Sequence, residues 1–204
     1  MKKPIPFVTM LVTALLLTVI GSTTATATGT ATGPATATAQ TARAGYVAQA
    51  QAAGLSAGQA TALQAKVDGY LVKFDGQGTQ VSPNQVDLDG AVLNVTVPGE
   101  NRPRPLGDQS AQVYNAYDCT GWTNYGWFCA YKYENRTGDN IGMYSCAKYA
   151  IPWVTVGSWV NNQLTGTKPM MYYSNHGSEL LPAAYSSRSK GVQWRYVTQI
   201  RNCL

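Results

Sequence analysis

The sequence has few charged and titratable side chains. Charged residues make up 12% of its 204 positions, about half the usual share in a globular protein. His176 is the single histidine, and aspartate and glutamate together number ten. Because acid–base catalysis depends on such groups, their scarcity argues against a cytosolic enzyme built around several titrating side chains.

Motifs of nucleophilic, zinc and nucleic-acid sites are missing as well. The chain has no Gly-x-Ser-x-Gly turn, which exposes the nucleophile of many serine hydrolases. Its four cysteines lack the Cys-x-x-Cys spacing of structural zinc sites. The net charge is +5, but the basic residues are scattered, whereas nucleic-acid binding needs them on one face. We therefore predict no catalytic residues, no metal, no cofactor and no nucleic-acid partner.

The N-terminus has the pattern of an export signal. Lys2 and Lys3 precede an apolar stretch at 7–20, and Ala25-Thr26-Ala27 is a suitable cleavage site. A transmembrane helix needs about 20 apolar residues, more than this stretch supplies, and no second long one follows. We expect residues 1–27 to be a signal peptide, and the mature protein to be secreted, extracellular and without a membrane partner.

Composition divides the rest of the chain into four segments. Residues 28–42, rich in threonine and alanine, are expected to be a disordered linker because they bury too little apolar surface. Residues 43–98 have the pattern of a small α+β unit, which we call the leader segment. Residues 99–112 form a linker rich in proline and arginine, either a plain spacer or a maturation site. Residues 113–204 hold all five tryptophans and all four cysteines.

A helix is predicted at the start of the leader segment. Ser56 and Gln59 have the spacing of a capping box. Gly76 marks the end of the helix. Apolar residues recur between these signals at helical spacing: Ala60, Leu63, Val67, Leu71 and Phe74.

A hairpin follows the helix. Asp89-Gly90 is a two-residue turn signal between alternating strands. In this register Leu88 faces Ala91 and Val86 faces Leu93, so the apolar side chains share one face. One helix over a two-stranded ribbon gives a thin core, which favours a companion to the C-terminal domain over an independent enzyme.

The C-terminal segment predicts an all-β sandwich or barrel. Turn signals lie at 135–140, 164–169, 174–177 and 186–191. The strand candidates between them are Trp127–Tyr133, Ile141–Ser145, Trp153–Val160, Met170–Tyr173 and Val192–Ile200.

An internal repeat of 41 residues runs through this segment. Six of 32 ungapped pairs are identical, about three times the chance expectation. They indicate two copies of a four-stranded unit, each too small to close a core alone. The identical pairs are Tyr131/Tyr172, Tyr144/Tyr185, Ser145/Ser186, Trp153/Trp194, Val156/Val197 and Asn161/Asn202.

Three motifs carry a family resemblance. The segment Tyr131-Lys-Tyr-Glu-Asn-Arg-Thr-Gly138 resembles the βγ-crystallin Greek-key signature. Trp127-Phe-Cys-Ala-Tyr131 and Gly157-Ser-Trp-Val-Asn-Asn162 resemble segments of the secreted bacterial peptidase-inhibitor family thirty-six, whose members are metalloproteinase-inhibitor-like. The resemblance covers about residues 119–203 and implies a βγ-crystallin-like double Greek-key sandwich. The motif residues it assigns are Tyr131, Gly138, Ser158, Trp159, Asn161, Asn162 and Tyr172.

The sequence departs from the family pattern at several positions. Arg136 stands where an aromatic residue is usual, and the second hairpin, at 172–177, is shorter. Calcium-binding βγ-crystallins carry paired Asn/Asp residues where this chain has 153–154 and 182–183, without any carboxylate or amide. Because calcium prefers six to eight oxygen ligands, we predict no calcium site.

The cysteines allow three pairings. If the first hairpin turns near Thr137, Cys129 and Cys146 lie almost opposite each other on adjacent strands, which leaves Cys119 for Cys203. We prefer this pairing. The alternative joins Cys119 to Cys129 and Cys146 to Cys203, and imitates a short local loop of the inhibitor family.

The few titratable groups offer weak catalytic hypotheses. His176 with Glu134 and Arg136 would supply the base, acid and phosphate clamp of a small ribonuclease, but no spacing brings the three together. A glycosidase needs two facing carboxylates. Glu134, Asp139 and Glu179 fall in or beside predicted turns, so we expect them to be solvated.

The aromatic residues suggest a binding surface. Most of the 17 in residues 113–204 should fill the core, but an exposed row could stack on sugars or fill a partner's pockets. The candidates are Trp122, Trp127, Tyr172 and Tyr173.

The resemblance favours one function over two others. We expect a secreted proteinase inhibitor that binds an extracellular protease stoichiometrically from a rigid disulfide-linked scaffold. The position of the reactive loop and the oligomeric state stay open. The alternative is a non-catalytic structural or carbohydrate-binding protein of the cell envelope, and a third hypothesis is a small toxin or antimicrobial protein.

Overall fold

The computed structural model describes residues 34–106, 119 and 123–204, with side-chain exposure from residue 37 onward. Residues 1–27, predicted to be a signal peptide, residues 28–33 and 107–112, and Trp122 lie outside the described residues. Residues 34–204 belong to one compact unit. No helix among the described residues has the length and apolar character to cross a membrane.

The first helix, α1 (Pro34–Ala52), begins inside the stretch for which we expected disorder. Residues 34–42 are helical because alanine has the highest helix propensity, which an argument from apolar burial alone overlooks. Contacts further along hold α1 in place. The Tyr46 hydroxyl donates to the Gln80 carbonyl oxygen at 2.7 Å, and Arg43 pairs with Asp68 at 2.9 Å.

The second helix, α2 (Ala57–Lys73), confirms the capping-box prediction. The Ser56 hydroxyl accepts the Gln59 amide hydrogen, and the Gln59 side chain accepts the Ser56 amide hydrogen. Both free amides are therefore satisfied at the N-terminus. The predicted apolar face is buried at Ala60, Leu63 and Val67.

Three short strands follow: β1 (Thr79–Ser82), β2 (Gln85–Asp87) and β3 (Ala91–Asn94). The predicted hairpin is confirmed, with Val86 opposite Leu93. The Leu88 amide donates to the Ala91 carbonyl at 2.9 Å. Asp89 and Gly90 both have positive φ, as a two-residue hairpin turn requires. Strand β1 was not predicted.

Eight further strands follow in chain order. They are β4 (Trp127–Tyr133), β5 (Thr137–Met143), β6 (Lys148–Ala150), β7 (Val156–Asn162), β8 (Met170–Tyr173), β9 (Ser178–Leu180), β10 (Ser186–Gln193) and β11 (Val197–Arg201). All pairings are antiparallel. The orders are β1-β2-β3-β5-β4-β7-β10 in a seven-stranded sheet and β6-β11-β8-β9 in a four-stranded one.

The leader segment and the C-terminal segment share the larger sheet. Strand β3 pairs with β5, and Leu93 lies opposite Ile141. Both residues are fully buried in a core cluster that contains residues from both helices and both sheets. The thin ribbon of the leader therefore gains its core by joining the C-terminal strands.

The 41-residue repeat corresponds to a structural repeat. Shifted by 41 positions, β4, β5, β6 and β7 overlap β8, β9, β10 and β11. The third strand of each copy lies in the sheet of the other copy. The repeated tryptophans, Trp153 and Trp194, are both buried and meet edge to face, with ring centroids 5.9 Å apart.

Strand boundaries match the predictions at β4 and β8 and differ elsewhere. A 3-10 turn, Glu134–Arg136, lets β5 begin at Thr137, four residues earlier than expected. Residues 186–191 belong to β10, although their composition indicated a turn. The strand expected at Val192–Ile200 is divided by a second 3-10 turn, Trp194–Tyr196. Local composition does not reveal these strand boundaries, because they depend on pairing with a neighbouring strand.

The preferred disulfide pairing was wrong. The structure joins Cys119 to Cys129 and Cys146 to Cys203, with Cα–Cα distances of 5.7 and 5.4 Å. Gly142, not Cys146, lies opposite Cys129. Cys146 lies beyond the end of β5, and mutual hydrogen bonds between Ala147 and Asn202 bring it to the C-terminus. This pairing is the alternative that the family resemblance offered.

Candidate functional site

The motif residues of the first copy brace its hairpin. Asn135 and Arg136 have φ of 56° and 61°, which is costly for residues other than glycine. The buried Ser158 hydroxyl donates to the Tyr133 carbonyl oxygen at 2.8 Å and accepts the Arg136 amide hydrogen at 3.0 Å. Gly138 has φ 77°, and a Cβ there would meet the Tyr133 ring at 2.5 Å. These residues shape the scaffold.

Other motif residues also support the fold. Trp159 is buried and stacks on Phe128, with ring centroids 5.8 Å apart. The backbone carbonyl oxygen of the buried Tyr131 accepts the Trp194 indole N–H at 2.7 Å. Tyr172 is half-buried, with the Lys148 ammonium 4.4 Å from its ring centroid.

Asn161 organises the loop between β7 and β8. Its side chain is buried. The side-chain amide donates to the carbonyl oxygens of Thr167 at 3.0 Å and Pro182 at 3.3 Å. Its oxygen accepts the Gln163 amide hydrogen at 3.3 Å. One buried amide therefore ties both ends of the loop 163–167 to the segment before β10.

The tip of this loop presents an apolar side chain. Leu164 is 61% exposed. The Thr167 amide donates to the Leu164 carbonyl at 3.0 Å, and Gly166 has φ 90°. The Ala184 amide donates to the Thr167 carbonyl, also at 3.0 Å. Four hydrogen bonds therefore fix the backbone of this loop as a closed turn, with the Leu164 side chain exposed.

Two tyrosines flank the same end of β7. Tyr125 and Tyr185 are each 61% exposed, and their ring centroids are 6.5 Å apart. The Gly126 amide donates to the Asn162 carbonyl at 2.8 Å, which places Tyr125 beside the base of the loop. We call Tyr125, Leu164 and Tyr185 the Leu164 surface. A concavity of about 300 Å³ adjoins it, and Arg136 lies in its lining.

The aromatic candidates from the sequence that the structure describes are less exposed than this surface. Trp127 is half-buried, 4.9 Å from Tyr144 between ring centroids. Tyr172 and Tyr173 are half-buried as well. Sequence reasoning missed Tyr125 and Tyr185, although their positions beside Gly126 and after Pro182 put them in loops, where side chains are commonly exposed.

The three groups of the ribonuclease hypothesis do not share a cavity. Arg136 lines the concavity beside the Leu164 surface, whereas His176 lines a different one. The Glu134 carboxylate accepts the Gly191 amide hydrogen at 2.9 Å. Among the described residues no group of three or more His, Cys, Asp or Glu is placed to hold a metal ion.

Asp139 was expected to be solvated, and this was wrong. Its side chain is fully buried where α2 covers β5. It accepts hydrogen bonds from Lys66 at 2.5 Å, from Lys132 at 3.3 Å and from the Thr96 amide at 2.8 Å. The Tyr70 hydroxyl donates to its second oxygen. The turn signal at 135–140 could not reveal that a helix from the leader segment covers this position.

The environment of Asp139 shifts two pKa values. Burial alone would raise the pKa of the Asp139 carboxyl, but the Lys66 ammonium and hydrogen bonds from Lys66, Tyr70 and Thr96 lower it below its usual value. Burial, and then the negative charge of Asp139, raise the pKa of the Tyr70 hydroxyl well above its usual value. At neutral pH the Asp139 carboxylate is therefore ionised and the Tyr70 phenol is neutral. Ionised Asp139 can form the ion pair with Lys66 that joins α2 to β5.

A second cavity lies near the short strand β9. Its volume is about 190 Å³, and its lining includes Tyr173, His176 and Glu179. The Tyr173 ring stacks on the His176 imidazole, with ring centroids 4.1 Å apart. The Tyr173 hydroxyl donates to Glu179 Oε2 at 2.6 Å. We call this the Tyr173 cavity.

No family profile, curated protein or solved structure matches the chain.

Proposed function

We propose that this chain is a secreted proteinase inhibitor that binds an extracellular protease stoichiometrically, from a βγ-crystallin-like double Greek-key scaffold. In each 41-residue copy the fourth strand returns to pair with the first, which supports a Greek-key arrangement. The motif residues brace the hairpin of the first copy, as their resemblance to the βγ-crystallin signature implies. The two disulfides fit an exported protein.

The braced loop at Leu164 is the observation that carries the proposal. Inhibition requires a loop whose side chain fills a pocket of the protease, and a preorganised loop loses less conformational entropy on binding. The buried Asn161 amide supplies this preorganisation through its bonds to Gln163 and Thr167. Leu164 is the apolar side chain offered to the pocket.

The neighbouring tyrosines fit a protein–protein interface. Tyrosine is enriched among the residues that dominate binding energy, because it combines a large apolar ring with a polar hydroxyl. Tyr125 and Tyr185 lie on the same end of β7 as the loop and are the rim on which a protease surface would rest.

The test is inhibition by the full chain after removal of residues 1–27. The protein is mixed at rising ratios with each of several secreted metalloproteinases, and residual peptidase activity is measured. The expected result is a linear loss of one protease's activity that ends at one inhibitor per enzyme. No inhibition across metallo-, serine and cysteine proteases would overturn the proposal.

Two matched variants locate the binding loop. Leu164→Asp should weaken inhibition about 30-fold, since a hot-spot side chain contributes about 2 kcal/mol. Val154→Asp is the control, because Val154 is 78% exposed and lies outside the Leu164 surface. Equal inhibition by both variants would show that another loop is used.

The other functional hypotheses give distinct outcomes in the same preparation. Retention on cell-wall polysaccharide without inhibition would favour the structural or carbohydrate-binding alternative. Growth inhibition of bacteria without protease binding would favour the toxin or antimicrobial hypothesis.

A further inference from the structure

The Tyr173 cavity has an apolar floor and aromatic walls. Four buried core side chains form the floor: Trp159, Met171, Leu181 and Val192. Tyr173 and Tyr196 contribute aromatic rings, and Tyr196 is 40% exposed. A ligand in this cavity would therefore contact carbon on several sides while its outer edge faced solvent.

The polar side chains of the lining are planar hydrogen-bonding groups. They are the imidazole of His176, the carboxylate of Glu179, the guanidinium of Arg188 and the amide of Gln193. All four side chains are exposed. Glu179 uses one oxygen to accept the Tyr173 hydroxyl hydrogen, and this bond, together with burial, raises the pKa of Tyr173. The other carboxylate oxygen has no described protein donor.

Two of these polar groups have unused capacity. Within the described part of the chain, neither the Arg188 guanidinium nor the His176 imidazole has a hydrogen-bond or ion-pair partner. The Arg188 Nη2 lies 3.9 Å from the position of a Cβ built on Gly191, so the guanidinium extends along the edge of the cavity. These donors and the free carboxylate oxygen are available to a ligand.

We infer that the Tyr173 cavity binds one neutral pyranose ring, such as the end residue of a polysaccharide. A pyranose has an apolar C–H face, which suits the aromatic walls and apolar floor. Its hydroxyl groups both donate and accept, which suits a carboxylate beside a guanidinium. One anionic and one cationic side chain leave the lining without a net charge, so it favours neither an anionic nor a cationic ligand.

The size of the cavity limits the ligand to a single ring. Pockets for drug-sized ligands begin at about 300 Å³, and this one has about 190 Å³. A ligand of so few atoms is expected to bind with a dissociation constant of about 1 mM. Tighter binding to a polysaccharide would come from several protein molecules acting together.

The single histidine gives a direct readout of this cavity. The His176 imidazole protons are the only histidine signals in a proton NMR spectrum of the whole protein. The protein is titrated with the methyl glycosides of glucose, galactose, mannose and N-acetylglucosamine, and separately with inorganic phosphate. We expect a saturable shift of the His176 signal with at least one glycoside and none with phosphate.

Three variants test the location. Glu179→Gln removes the carboxylate charge, and Tyr196→Ala removes an aromatic wall; each should weaken binding about tenfold. Tyr133→Ala is the control, because Tyr133 is also exposed but lies outside the cavity. Near-ultraviolet circular dichroism verifies that each variant is folded. All three are outside the Leu164 surface, so their protease inhibition should be unchanged.

Three results would overturn the inference. One is the absence of a saturable His176 shift with any of the four glycosides. Another is a shift with phosphate, which would assign the cavity to anions through Arg188. A third is unchanged glycoside affinity in both Glu179→Gln and Tyr196→Ala. Because inhibition is measured separately, neither proposal depends on the outcome of the other.

Discussion

The two 41-residue copies share a strand order but differ at their outer strands. In the first copy β5 pairs on both sides, with β4 and with β3 of the leader segment. In the second copy β9 pairs on one side only, with β8, as far as the described residues show. Asp139 on β5 is fully buried, and Leu180, its equivalent on β9, is 48% exposed. The copies therefore invert the usual rule that charge is exposed and apolar side chains are buried.

The leader segment accounts for this difference. Helix α2 and strand β3 cover the outer edge of the first copy, and Lys66 and Tyr70 of α2 supply the partners that a buried carboxylate needs. The repeated tryptophans show the same asymmetry. Trp153 donates its indole N–H to the Tyr70 hydroxyl at 3.1 Å, while Trp194 donates to a carbonyl within the β domain. One copy is completed by the leader, and the other stays open beside the Tyr173 cavity.

The largest expected effect on stability comes from replacing the buried Asp139. Asp139→Asn keeps the shape but removes the anion that Lys66 and Lys132 contact, so it should lower the free energy of unfolding by about 3–5 kcal/mol. Leu180→Asn at the equivalent exposed position should change it by less than about 0.5 kcal/mol. Urea unfolding of both variants measures the difference. Equal effects would show that the leader does not depend on this ion pair.

The lowered pKa of Asp139 should also make the stability of the protein depend on pH. Because the pKa of Asp139 is lower in the folded chain than its ordinary value of about 3.9, the folded state binds this proton less readily than the unfolded state. The contribution of Asp139 is therefore complete above about pH 4 and is lost as the pH falls through the folded pKa. Urea midpoints between pH 2 and 6 should fall more steeply with acid in the unaltered chain than in Asp139→Asn.

Local signals in the sequence predicted the local structure well. The capping box at Ser56, the turn at Asp89-Gly90 and the strand Trp127–Tyr133 depend on short-range geometry, and the structure has each of them. The 41-residue shift also predicted two copies of a four-stranded unit, and the strands β4–β7 and β8–β11 overlap after that shift.

Features that depend on distant segments could not be predicted. Asp139 is buried by helix α2, which lies about 70 residues earlier in the chain. The sequence of the hairpin that contains Asp139 gives no sign of this helix. The cysteine pairing depends on where the chain turns after Met143, not on spacing within the hairpin. The bracing of the loop at Leu164 likewise depends on a distant segment, because the Asn161 side chain that holds Thr167 also donates to the Pro182 carbonyl.

The two disulfides should differ in their effect on stability. Cys146–Cys203 spans 57 residues and Cys119–Cys129 spans 10. In the chain-entropy model, replacing the longer bridge by two serines costs about 4 kcal/mol and replacing the shorter one about 3 kcal/mol. Thermal unfolding of the two double variants, each compared with the unaltered chain, measures this order. A larger loss for the shorter bridge would show that local packing around Gly142 outweighs loop entropy.

The smallest expected effect compares the two hairpins. Gly138 has a positive φ, and a Cβ there would meet the Tyr133 ring, so Gly138→Ala should cost about 1–3 kcal/mol. Gly177 ends the shorter hairpin of the second copy, where a Cβ would meet nothing within 4 Å, and Gly177→Ala should be nearly neutral. Urea unfolding at pH 7 distinguishes the two variants. If both variants were neutral, the positive φ of Gly138 would not be needed for the first hairpin. The hydrogen bonds of Ser158 would then be sufficient to hold that hairpin.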